Sequence, residues 1–419
     1  MSDSILEPPV SLIQEPIPWR RWLIAFFSHN SIMRLMFTSA IWVIYLSSHG
    51  YSPFVIGLLE MTFHIAKFVA EVPSGIFADL LGRRKSLIVY CLLGALETVF
   101  FLQPTLPFLF ISFALSGISY AFLGGANEAI LWTLTGYAAP GDPQQQGIRY
   151  SKLFSWMLMV SIVSEIIGTT SGGYLGNIMQ TLPFVCRAIV CLLAIIPLLF
   201  LPAAVTDPQQ KQHERPHPIL HFQKGLAAVW HSPRLLGLIL ISGLSESCGT
   251  TIYFFVQLQF HELGFALSSI GIIMSVSSLS QFGFTALAPY LMRRLSARVL
   301  ISACIVFQLV GLLLMIVPNA IVSLLGFLTF FQAATAILYP TVSTRLNEGS
   351  PEAQRAMVLS FETGMFSLAM IILFPLFGLG LSSASYSIVY SWTIVALAIG
   401  SLMTYLLFRL RTVQLGKQL

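Results

Sequence analysis

The chain has 419 residues, of which 56% are hydrophobic and only 9% charged, and its mean hydropathy is +0.81. A soluble domain carries about a quarter charged residues, so a soluble globular protein is excluded and much of the surface must face lipid. The formal charge of +5 does not mark a nucleic-acid patch, because nineteen of the 22 Lys and Arg lie at the ends of the apolar runs or outside them, all except Arg34, Lys67 and Arg187.

Crossing the hydrocarbon takes about 20 apolar residues as a helix. In chain order the predicted spans are 29–48, 53–77, 86–103, 106–136, 151–177 and 182–201, then 235–260, 266–290, 298–317, 320–344, 357–381 and 384–408. The pattern predicts an all-α membrane protein of twelve transmembrane helices. Residues 1–28 read as a cytoplasmic N-terminal segment without a cleavable signal pattern, and 409–419 as a cytoplasmic tail. The connections SSHGYSP, QPTLP, GNIMQTLP, HELGFA, VPNA and SSASYS contain no Lys or Arg, whereas the alternate ones hold cations such as Arg149, Lys152, Arg293, Arg294, Arg298 and Arg345. Basic residues resist translocation, so both termini are expected in the cytoplasm.

Ionisable groups at membrane depth cost several kcal/mol, so each is a functional hypothesis. Arg34 in span 1 either snorkels to the interface or pairs with Glu71 or Glu128. Span 2 carries Glu60, His64, Lys67 and Glu71, whose spacing keeps them on one face of a helix. About 1.5 Å of rise per residue puts Lys67 some 18 Å from Asp79, near the bilayer centre. Two readings stand: i,i+4 neutralisation of Lys67 by Glu71 and of Glu60 by His64, or a water-accessible path in which Glu60 and His64 exchange protons.

Between spans 2 and 3 runs GIFADLLGRRK, with Gly75, Asp79, Gly82, Arg83, Arg84 and Lys85. Gly75 is suited to close helix approach and Gly82 to a turn that a Cβ would strain. Asp79 can pair with the arginines or cap a helix N-terminus. This segment resembles the loop between helices 2 and 3 of the major facilitator superfamily of secondary transporters. FVAEVPSG before it, IGLLEMTFHI in span 2 and RAMVLSF in span 11 are similar to a bacterial drug-exporter-like branch of that superfamily. The resemblance implies two six-helix bundles, 29–201 and 235–408, joined by a cytoplasmic linker, 202–234, with a substrate site between them near the midplane. It also implies alternating access, with Asp79 and Arg83–Lys85 latching the cytoplasmic ends in the outward-facing state. A second copy of the motif after span 8, GFTALAPYLMRRL, keeps Gly283, Arg293 and Arg294 but has no acid at the Asp79 counterpart.

Span 4 carries Glu128 in GGANEAILW. Proton-coupled exporters of the superfamily often place an arginine in helix 4, and no Arg or Lys occurs between Lys85 and Arg149 here, so Glu128 becomes a coupling candidate. Span 5, SEIIGTTSGGYLG, resembles the glycine-rich antiporter motif without its proline. Glu165 precedes Gly168, Gly172, Gly173 and Gly176, a small-residue face for close packing. Arg187 in span 6 reads as snorkelling outward. The linker, with His213, His217 and His221, reads as solvated, with a short amphipathic helix around 222–230. Span 7 offers Glu246, with Tyr253, Phe254 and Gln257 as cavity wall. Gln332 in span 10, where Pro340 suggests a polar kink, is a further wall residue, and Glu362 in span 11 lies near the cytoplasmic gate.

The five cysteines form no C-x-x-C pair and lie inside apolar runs, which indicates packing rather than zinc or disulfides. With no Walker-type phosphate loop, no nucleotide cofactor is expected. The expected protein is a monomeric multi-pass carrier of the bacterial inner membrane whose partners are a small molecule, protons and lipid. The first functional reading is proton-coupled export of a small amphipathic or hydrophobic compound. Proton- or sodium-coupled uptake of a sugar, peptide or organic ion is the alternative. A membrane-embedded enzyme is disfavoured by the scatter of the eight histidines.

Overall fold

The computed structural model describes residues 18–138, 142–207, 229–230, 232–350 and 355–415, and among these it contains helices and no strand. In the first half the helices are α1 (Trp19–Met33), α2 (Trp42–Ser48), α3 (Pro53–Leu81), α4 (Arg83–Phe101), α5 (Leu106–Leu123), α6 (Ala126–Ala138), α7 (Pro143–Ile178), α8 (Leu182–Leu193), α9 (Ile195–Leu199) and α10 (Ala203–Thr206). In the second half come α11 (Pro233–Glu262), α12 (Leu267–Arg294), α13 (Ala297–Ile316), α14 (Ala320–Leu325), a π-helical turn (Gly326–Phe331), α15 (Gln332–Gly349), α16 (Arg355–Ser383) and α17 (Tyr386–Leu415). Most of the expected linker, including His213, His217, His221 and all of its amphipathic helix but Val229 and Trp230, lies outside the described residues.

Ten of the described helical segments are long and apolar enough to cross a membrane. The other two predicted spans fall short for visible reasons. The first is not one helix: α1 begins at Trp19 and ends at Met33, and residues 34–41 form turns before α2. The third, α4, opens on Arg83, Arg84 and Lys85 and carries Glu97.

Several predicted boundaries are corrected. The expected basic loop after span 2 shrinks to Gly82, whose φ of +95° only glycine adopts without strain, so Asp79 lies in the last turn of α3 and the three cations open α4. Span 4 divides at Gly124–Gly125, where Gly125 has φ +70°. Span 6 is interrupted at Ala194. In span 10 the irregularity is the π-helical turn, more than two turns before Pro340, which sits inside α15.

Buried apolar side chains form three clusters whose membership reveals the shape. At the end bearing the cation-free connections, one core mixes both halves: Tyr45, Ile56, Phe101 and Phe184 pack with Phe255, Phe260 and Phe374. At the opposite, basic end the cores are separate. One draws only on the first half, with Leu87, Leu134 and Val205, and the other only on the second, with Leu235, Val342 and Val358. The halves meet where α3 packs along α16, α7 along α12 and α2 against α11. They are sealed together at one end and splayed at the other.

Candidate functional site

On α3, Glu60 and His64 are buried, with Glu60 Oε1 3.6 Å from His64 Nε2. The His64 ring meets Phe366 of α16 edge-on at 5.7 Å between centroids. Lys67 is half-buried and lies within electrostatic reach of His64 and of Glu246 on α11. Glu362 on α16 is buried and accepts a 2.8 Å hydrogen bond from Ser242, one turn before Glu246. The seam of α3, α11 and α16 therefore gathers Glu60, His64, Lys67, Glu246 and Glu362. Glu71 does not join them. It is exposed, and no ion pair within 4.0 Å ties it to Lys67, so the i,i+4 neutralisation fails for that pair.

Arg34 pairs with neither expected acid. Its Nη1 lies 3.8 Å from Glu165 Oε2, and Glu165 Oε1 accepts a hydrogen bond from Ser278 of α12. Glu128 is exposed in the first turn of α6, with Tyr150 its electrostatic neighbour. The glycines of α7 serve two partners. A Cβ on Gly168 or Gly172 would strike the backbone of Leu35–Phe37 in the broken helix, and one on Gly173 would strike Leu267 and Gly271 of α12. Gly176 abuts Leu267 and Ile41 side chains.

At the basic end, Arg83 donates to the Ala129 carbonyl and to Thr133 at 3.3 and 3.2 Å, and Arg84 to the Leu201 carbonyl at 2.8 Å. These cations are thus tied within the first half. Asp79 lies within electrostatic reach of Arg83, Lys85 is exposed, and the Asp207 carboxylate lies beside Gly82. Gly75 contradicts its expected role: nothing lies within 4 Å of where its Cβ would be. The splayed end leaves it without a helix to approach.

A cavity of about 190 Å³ opens beside the break in the first span, lined by Met36, Thr38 and Ser39 of that break. Its apolar wall is a cage of rings: Trp42, Phe63, Phe101, Phe113, Phe184 and, from the second half, Phe254. Trp42 meets Phe113 and Phe254 edge-on at 5.5 and 5.2 Å, and Phe101 stacks on Phe184 at 4.6 Å. The polar wall holds Glu60, Glu97, Ser112, Ser116, Tyr120 and Arg187. Of the expected wall residues, Phe254 lines the cavity. Its neighbours Tyr253 and Gln257 instead hold the break, with Tyr253 OH 3.5 Å from Ser39 Oγ and Gln257 Nε2 donating to the Ser39 carbonyl at 3.0 Å. Gln332 points elsewhere, donating to Ser277 and accepting from Gln281 at 3.1 Å in the seam of α12 and α15.

One acidic residue of this wall, Glu97, escaped the sequence analysis, and Arg187 is read there in the wrong direction. Arg187 does not snorkel outward. It is 5% exposed and its Nη1 donates to the Met33 carbonyl at 2.6 Å, capping the end of α1. Glu97 accepts from Ser116, while its Oε2 is buried without a hydrogen-bond partner. A lone carboxylate inside the run CLLGALETVF carried the signal that would have found it.

Among known proteins the chain is similar to an uncharacterized MFS-type transporter, YxaM, of Bacillus subtilis (strain 168), at 22% identity over 383 residues, covering 88% of this chain and 92% of that one. It is similar to Multidrug resistance protein 2 of the same organism at 21% identity, covering 70% and 71%. Two crystal structures of the nucleoside transporter NupG share its fold with TM-scores of 0.80 and 0.77 at 15% identity, covering 93% of this chain and 99% and 98% of theirs. The family model of the Major Facilitator Superfamily matches residues 22–262 and 239–418, nearly the whole chain, and the protein accordingly belongs to that superfamily of multi-pass transporters.

Proposed function

We propose that this transporter is a proton-coupled exporter of a small amphipathic or hydrophobic compound, working by alternating access. The observation that carries the reading is the cavity beside the broken first span, closed on one side by a core shared between the halves and facing, on the other, an end where the two cores separate. Twelve spans in two bundles, 29–201 and 235–408, with 202–234 as linker and both termini in the cytoplasm of a bacterial inner membrane, fit the cation-free and basic ends. With that orientation the splayed end faces the cytoplasm. The chain works as a monomer, since the cavity is complete within one copy.

Glu60, His64, Lys67, Glu246 and Glu362 form the coupling group in this reading, because they meet at the seam of the two halves where access must change. Glu165 with Arg34 belongs to the seam that closes the opposite end. Asp79 and Arg83–Lys85 latch the basic end in the alternate state. The similarity to Multidrug resistance protein 2 supports export. Uptake of a polar nutrient is the second reading, favoured by the hydroxyl and guanidinium donors Ser112, Ser116 and Arg187 on one cavity wall.

Purified protein in vesicles with an imposed pH gradient and a lumenal pH dye tests both. Proton flux released by lipophilic amines or cationic dyes supports antiport. A response confined to sugars, peptides or nucleosides selects uptake, and silence to the whole panel from folded protein sinks the carrier reading.

A further inference from the structure

Resting on the carrier reading, we propose that the cavity beside the broken first span takes a small organic monocation with a flat apolar body, such as an arylalkylamine, with Glu97 as its counter-ion. Three features of the pocket converge on that class.

The first is the state of Glu97. Ser116 satisfies one side of the carboxylate, but Oε2 is enclosed and bonded to nothing in the protein. A buried acceptor left unmade is costly, and a ligand N–H is the group that completes it. Arg187, on the same wall, commits its Nη1 to the Met33 carbonyl.

The second is the charge count of the wall. Two carboxylates, Glu60 and Glu97, face one guanidinium, Arg187. With all three ionised the wall would carry one net negative charge, which a low-dielectric site disfavours, so the ligand-free pocket holds a proton on one carboxylate. A monocation that displaces this proton leaves the filled pocket neutral, a neutral ligand leaves the proton in place, and an anion adds uncompensated charge. The remaining ionisable neighbours do not alter the count. His64, 3.6 Å from Glu60 at the α3–α16 seam, counts as the neutral imidazole, Lys67 stands with Glu246 further toward the basic end, and Arg34 pairs with Glu165. Tyr90 and Tyr120 stand beside Arg187 as phenols.

The third is the shape. Six aromatic rings surround the space, and ring faces attract a cation while accommodating a flat apolar body. The volume of about 190 Å³ is below the roughly 300–1,000 Å³ usual for drug-sized ligands. The pocket therefore favours small cations over bulky lipophilic ones.

Equilibrium dialysis with the purified full-length protein in lipid nanodiscs tests this directly. The probes are phenethylamine and tryptamine, their uncharged isosteres 2-phenylethanol and tryptophol, the anion 3-phenylpropionate, and the bulky cations rhodamine 6G and tetraphenylphosphonium as competitors. The amines are expected to bind at least tenfold tighter than the alcohols or the carboxylate, and the bulky cations to compete at least tenfold less well than the amines themselves. Glu97→Gln should erase the preference for amine over alcohol, and Glu97→Asp should retain it. An alcohol or carboxylate that matches its amine, potent displacement by the bulky cations, absence of amine binding, or a Glu97→Gln protein that keeps the tenfold preference would each overturn the proposal. If Glu97→Gln fails to fold, the isostere comparison on the unaltered protein decides. Vesicle flux driven by sugars or nucleosides but not amines would sink this ligand class and leave the carrier standing, whereas folded protein silent to every compound would sink the carrier itself.

Discussion

Arg187 projects from α8 toward the first span, where helix α1 stops and leaves the Met33 carbonyl without a backbone donor. Its Nη1 takes the Met33 carbonyl at 2.6 Å, and its charge stands beside Tyr90, Tyr120 and Glu97. A hydrogen bond to a charged group contributes about 1.5–3 kcal/mol, more than the few tenths of a surface pair. Arg187→Met removes that bond and leaves both the carbonyl and Glu97 without a cation nearby. The variant should therefore melt several degrees lower, as read by fluorescence-detected size exclusion after heating. Arg187→Lys, whose ammonium lacks the forked donor geometry, should fall between the two. If Arg187→Met melts like the unaltered protein, the tether holds nothing. Depth alone suggested that this guanidinium reaches the headgroups; the direction in which α8 aims it decides otherwise.

Glycines set how closely the helices meet, and they do so unequally. On α7, Gly172 lies so close to Phe37 that any Cβ would overlap the backbone, while Gly75 on α3 and Gly283 on α12 face open space. Gly172→Ala should therefore cost folded protein, lowering the yield of the monodisperse peak. Gly75→Ala should leave yield and melting unchanged, yet slow transport if the basic end closes on Gly75 in the alternate state, as the proposed latch requires. Full transport by a well-folded Gly75→Ala protein would remove Gly75 from the gate. The glycine face of α7 was legible because Gly168, Gly172 and Gly176 recur at helical spacing. The seam of α3 and α16 was not: Gly57 against Pro375 and Gly378 against Pro53 stand in apolar runs with no helical period to announce them. Breaks were equally hidden. Residues 34–41 carry no proline or glycine, and the turns there rest on tertiary partners, namely Arg187, Gln257 and the α7 glycines, that local sequence does not encode. The ionisable stripe on α3 was plain from its spacing, but which members find partners depended on α11 and α16, which lie far along the chain.

Across the whole molecule, one shared core and two separate ones define a hinge-like arrangement in which the cation-free end is closed. That closure is polar as well as apolar. Thr170 Oγ1 and Ser275 Oγ are 2.7 Å apart across the α7–α12 seam, Asn177 donates to Ser268 at 2.8 Å, and the Phe54 amide donates to Ser382 at 3.1 Å across the α3–α16 seam. Hydroxyl pairs of this kind can exchange partners with water, so they suit a joint that parts and reforms better than interdigitated rings alone. If transport requires the joint to open, fixing it should arrest the cycle. Thr170→Cys with Ser275→Cys, in a background lacking the five native cysteines, sets two sulfurs where two oxygens already touch, within reach of disulfide geometry. A protease site inserted between residues 208 and 228 reports the link, since only a cross-linked chain migrates intact after cleavage. Oxidation should abolish proton-driven flux in vesicles, and reduction should restore it to the level of each single variant. The single variants serve as the control for packing damage, because neither can form the bridge. A fully cross-linked protein that transports at the reduced rate would mean that the cation-free end never parts, and the two-state carrier reading would have to be abandoned.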